Sequence, residues 1–128
     1  MYKGETLADI VVKLGNGENI IEELTKVAEK QKIEYGLYTS ISGKIKNFDL
    51  LSMQDRGKVN RDHIPDAHQV SSISGKIQKT KNGYVNDINI SIVKSGFSTI
   101  AGKLVKGFVA EGLEVEIRSI AMNKIIEA

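Results

Sequence analysis

Cysteine and tryptophan are both absent from the 128 residues, and proline occurs once. Without cysteine there is no disulfide framework, no iron–sulfur ligation and no thiol nucleophile. No stretch approaches the roughly 20 consecutive apolar residues that a membrane-spanning helix needs. The opening "MYKGETLADI" lacks the basic-then-apolar pattern of a secretory signal. These absences give a cytoplasmic chain with no membrane partner as the expectation. A dense basic block is missing as well: the net charge is +2, and the lysines are scattered among acids. The composition therefore permits contact with nucleic acid without pointing to it.

What remains is an ordinary globular composition, 41% hydrophobic and 27% charged, with enough length for a buried core. Residues 1–128 are expected to form a single domain. Residues 8–14 read as a strand, and "GNG" at 15–17 as a turn. Residues 19–32 carry the one long helical pattern, with Ile20, Ile21, Leu24, Val27 and Ala28 on one face. Asn19 followed by Glu22 resembles a capping box. Strands follow at 35–41, 44–53, 69–77, 84–93, 97–104 and 108–120. The polar stretch 54–68 reads as a loop with room for a short strand, and Asn82–Gly83 is the strongest hairpin signal. The ending "AMNKIIEA" reads as a last short helix or a strand extension. The expected class is α+β: a mostly antiparallel sheet of about six or seven strands with one principal helix packed on it.

The hexapeptide "SISGKI" occurs at 40–45 and again at 72–77, with a looser copy "TIAGKL" at 99–104. A phosphate-cradling P-loop needs Ser or Thr after the lysine and a helix behind it. Here isoleucine or leucine follows, inside strand-like segments. The repeats therefore read as bends, with Gly43, Gly75 and Gly102 marking bulges or close backbone approach. His63 and His68, with Asp62 and Asp66 nearby, could in principle coordinate a metal, but zinc wants three or four well-placed ligands and the stretch reads as solvated loop. Glu114, Glu116 and Arg118 read as an outward, charge-balanced strand face. The clearest alternation is Ile88, Ile90 and Ile92 against Asp87, Asn89 and Ser91. An outer face this short of Lys and Glu suggests a pocket or a subunit contact.

The order of "LGNGEN", "GLYTSISGKIKNFDL", "HQVSSISGKI", "NDINISIV", "AGKLVKG" and "LEVEI" resembles the PPC domain, conserved between plants and prokaryotes. Residues 43–47 match the family's "G-S-V-S-N" type turn, and Ser72, Ile73, Ser74 and Gly75 match its "S-L-S-G" strand. The family's histidine–x–histidine strand is occupied here by Asp87 and Asn89, and its glycine–histidine pair by Gly102–Lys103. A protonated lysine and an asparagine are poor metal ligands. The expectation is therefore no metal and no cofactor. The resemblance implies a homotrimer that mediates association, DNA-linked through an AT-hook in plants. No hook occurs here; Arg56–Gly57–Lys58 is only an echo of one.

Three functions follow as expectations. The first is a non-catalytic homotrimeric interaction module, partnered by DNA or a DNA-associated protein. The second is direct DNA binding through Lys44, Lys46, Lys76, Lys79 and Lys81, should the two "SGK" turns lie side by side. The third is a small-molecule binder or enzyme using Asp87, Asn89 and Lys103. No catalytic constellation stands out.

Overall fold

The computed structural model describes residues 2–3, 6–53, 57–96, 98–121 and 126–127. The elements are β1 (Tyr2–Lys3), β2 (Thr6–Gly15), α1 (Ile20–Lys30), β3 (Tyr35–Met53), β4 (Val59–Ile64), β5 (His68–Thr80), β6 (Gly83–Val93), β7 (Thr99–Ile120) and β8 (Ile126–Glu127). Six strands form one antiparallel sheet in the order β2-β7-β6-β5-β3-β4. An additional β7–β3 ladder closes β3, β5, β6 and β7 into a circuit, leaving β2 and β4 as outer strands. The chain's last described strand, β8, pairs with β1. No described helix is long and apolar enough to cross a membrane.

Helix α1 packs on this sheet through Ile20, Leu24 and Ala28, with Ile21 and Val27 half-buried beside them. Asn19 caps it, its Oδ1 accepting from the Glu22 amide at 3.1 Å. The helix stops at Lys30 rather than Lys32, and the cap explains why. Lys32 takes φ 56°, the Lys32 amide bonds Glu29 O at 3.2 Å, and the Ile33 amide bonds Ala28 O at 2.9 Å. That is a Schellman ending with lysine where glycine is usual. The Tyr84 hydroxyl then reaches Ile33 O at 2.8 Å, tying β6 to the helix end.

Two pairs of expected strands are single strands. Residues 35–41 and 44–53 are one 19-residue strand, and the last two segments are the 22-residue β7. Residue 97, expected in the latter, lies outside the described residues. The β3–β7 ladder continues past Gly43 and Gly107 by shifting register instead of stopping. Gly43 has φ 126°, and a Cβ there would lie 2.3 Å from Gly112 O. Gly75 has φ 118°, and its Cβ would lie 1.9 Å from Asp87 O. Both exact copies of the hexapeptide thus place glycine where a neighbouring backbone occupies the side-chain position.

The β5–β6 hairpin forms where Asn82–Gly83 suggests. Gly83 alone of the turn takes a positive φ, 114°, so the turn is not the type I′ form that needs two such residues.

Candidate functional site

Strict alternation along β6 sends Ile88, Ile90 and Ile92 into the core and turns Asp87, Asn89 and Ser91 outward. Register then decides what stands beside them. Ser74 pairs with Asn89, Asn89 with Lys103, Lys103 with Leu51, and Leu51 with Arg61. One cross-strand row therefore spans β5, β6, β7, β3 and β4. Lys103 Nζ lies 3.6 Å from Asp87 Oδ1, both side chains half-exposed. Asp87, Asn89 and Lys103, singled out from the sequence, are brought together.

An open depression of about 700 Å³ sits over this row, walled by Leu51, Val59, Ser74, Asn89, Ala101 and Lys103 among others. Among the serines that line it, Ser72 and Ser91 have engaged hydroxyls, with Ser71 beside them outside the lining. Ser71 and Ser72 both bond Ser91, whose hydroxyl is thereby occupied. Ser74 and Asn89 make no side-chain hydrogen bond with any described residue. Lys103 is the one charged residue among the described residues lining the depression.

The lysine rim does not assemble. Register sets Lys76 beside Leu37 and Lys44 beside Gln69, so the two "SGK" segments are separated by the strand from Leu37 to Lys44, on the order of 20 Å. Lys44 pairs with Glu111 at 3.0 Å, and Lys46 donates to Asn16 Oδ1 at 3.3 Å. Lys76 lies 5.7 Å from the Tyr35 ring centroid, while Lys79 and Lys81 sit at the β5–β6 hairpin. Arg118 on the acidic strand face bonds Asp9 at 2.9 Å, and Glu116 accepts from Thr39 at 2.8 Å.

Sequence reasoning missed one cluster. Asp49 is buried on β3, its Oδ2 taking Arg61 Nε at 2.9 Å and Nη2 at 2.7 Å, its Oδ1 lying 2.6 Å from His63 Nδ1. His63 is therefore held on a paired strand, not in a solvated loop; Asp49 and His63 face each other across the β3–β4 ladder. The signal available was a lone acid inside "NFDLL". His68 instead sets its ring edge-on to Phe48, centroids 6.1 Å apart. Among the described residues, no three His, Asp or Glu side chains converge as a metal would require.

The hydrogen bond from His63, then that from Arg61, holds the Asp49 carboxyl below its ordinary value of 3.8. The unfolded chain therefore takes up this proton first on acidification. The stabilisation is complete above the ordinary carboxylate range and is lost as pH falls through the depressed folded value. Urea midpoints measured from pH 5 to pH 2.5 are expected to fall less steeply in Asp49→Asn than in the parent; equal slopes would contradict this.

No curated protein matches the chain by sequence. Solved structures do match in fold. A plant- and prokaryote-conserved (PPC) protein of Pyrococcus horikoshii superposes with TM-score 0.82 at 15% identity, over 95% of this chain and 85% of that one. The metal-containing protein of Archaeoglobus fulgidus gives 0.81 at 15% identity, over 94% and 85%. A candidate DNA-binding protein of Bacteroides thetaiotaomicron gives 0.77 at 17% identity, over 97% and 87%. At these identities the likeness concerns the fold. The family assignment comes from the sequence pattern itself: residues 1–121 match the model of the Plants and Prokaryotes Conserved (PCC) domain, and the chain belongs to that family.

Proposed function

We propose that residues 1–128 act as a single PPC-like domain in the cytoplasm, a non-catalytic homotrimeric interaction module that works beside DNA or DNA-bound proteins. The observation that supports it most is the outward face of β5, β6 and β7. The row Ser72–Ser91–Ala101 and its neighbours Ser74 and Asn89 cover much of the middle of the sheet with short, uncharged side chains, with Lys103 beside Asn89 the exception. Val59 stands exposed at the rim. A wet face usually carries longer charged residues, whereas short ones let a second surface approach closely. The dispersed lysines give direct DNA binding less support, because an electrostatic footprint needs them clustered on one face.

Native mass spectrometry is expected to give three times the 14.1 kDa chain mass. Ala101→Arg, which sets a long cation on that face, is expected to return the mass to one chain with the circular dichroism spectrum unchanged. A monomeric parent protein would sink the reading.

A further inference from the structure

The depression over β6 and β7 holds hydrogen-bonding capacity that the chain does not use. Along the row Ser74–Asn89–Lys103–Leu51, the groups facing outward are a hydroxyl, an amide, an ammonium and an alkyl side chain; Arg61, bonded to Asp49, comes next on β4, and Val59 lines the depression two residues along that strand. Cross-strand neighbours stand about 5 Å apart, so Asn89 and Lys103 are placed to share one oxyanion. Lys103 is only loosely engaged: its contact to Asp87 is 3.6 Å, longer than a charge-assisted hydrogen bond of about 2.8 Å. Asp87 itself is not among the described residues that line the depression, so the ammonium of Lys103 faces into it while its partner stands outside. Leu51, Val59 and Ala101 supply apolar wall on the far side. The volume of about 700 Å³ suits a small organic molecule.

We infer that this depression binds a small carboxylate with an apolar body, the carboxylate held by Lys103 and Asn89 and the body lying against Leu51 and Val59. Hydroxyl donors alone would suit a sugar, but the one cation among the described lining residues, loosely paired with Asp87, selects a monoanion, and the adjoining alkyl wall selects one with a hydrocarbon part. Asp87 competes internally for Lys103, so the site is self-neutralised when empty. The depression lies on the face proposed above for subunit contact, so the inference goes beyond the assembly reading and does not need it, but a subunit packed flat against that face competes with the ligand for Asn89 and Ala101.

Hexanoate and its neutral analogue hexanamide serve as probes, titrated into the ¹⁵N-labelled full chain. Hexanoate is expected to shift the amides of Asn89 and of 101–103 and to bind at least about tenfold more tightly than hexanamide, the worth of one charge-assisted hydrogen bond. Lys103→Met is expected to remove that preference. Asp87→Asn is expected to tighten hexanoate binding, because it frees Lys103; a merely structural role for the pair would weaken binding in both variants. Equal binding of the two probes by the parent protein would overturn the inference without any variant, as would shifts confined to residues outside the depression. Native mass spectra of the same samples report subunit number separately, so loss of the carboxylate site and loss of the trimer are read independently.

Discussion

Gly75→Ala is expected to lower unfolding stability by about 4 kcal/mol or more, a loss beyond the usual range for one substitution. Two causes act together. The backbone holds φ 118° at this residue, a conformation that costs an L side chain about 1–3 kcal/mol. The added Cβ would also fall 1.9 Å from Asp87 O, and that obstacle is backbone in the adjacent strand, not the movable end of a side chain. Strand β6 has to move away, and the Gly75–Ile88 and Lys76–Asp87 pairings weaken with it. Against a typical domain stability of about 5–15 kcal/mol, the variant is left marginal or unfolded.

Gly83→Ala separates the two causes. Gly83 has nearly the same φ, 114°, but its Cβ would meet nothing within 4 Å. It is expected to cost only the backbone part, about 1–3 kcal/mol. Urea denaturation of both variants checks the pair. Similar losses would mean that the close approach to Asp87 carries no energy. Because Asp87 is the ion-pair partner of Lys103, the contact that excludes a side chain at residue 75 also locates one end of the candidate site.

How much of this was legible beforehand depends on whether the cause was local. Strict alternation along β6 follows from the two-residue period of a strand, so Asp87, Asn89 and Ser91 could be placed on one outward face from their spacing alone. The helix face of Ile20, Leu24 and Ala28 is equally local. The hexapeptide glycines read correctly as close approaches, because a glycine inside a strand has few other uses. What failed was non-local. A glycine looks like the end of a strand when its partner is unknown. β3 and β7 continue past Gly43 and Gly107 because each has the other to pair with, more than 50 residues away. Asp49 was invisible for the same reason. Its burial requires Arg61 and His63 to be brought opposite it by β4, in a stretch whose polar composition reads as loop. Lys32 hid the helix stop by taking a backbone conformation where glycine would have announced it.

The Asp49 cluster in turn depends on the residue before it, where the second large effect is expected. Phe48 is fully buried, at 0% exposure, and Phe48→Ala is expected to cost about 3–5 kcal/mol by urea denaturation. Asn47, at φ 47°, turns β3 from its pairing with β5 at Lys44 and Ile45 to its pairing with β4 from Phe48 onward. The Phe48 ring lies in the core and packs at right angles to the His68 ring. Removing it leaves a hole where β4 is attached. Hydrogen exchange is therefore expected to show lost protection across 59–64 before it shows loss across β6. The facing strand has little room from which to refill the cavity. A Cβ at Gly107 would stand 3.0 Å from Phe48 Cβ and 3.2 Å from Leu104 Cδ1, and alanine at 48 keeps that Cβ. Adding Gly107→Ala to Phe48→Ala is accordingly expected to destabilise further. A rescue would show that the ring, not the backbone approach of β3 to β7, is what excludes a side chain at residue 107.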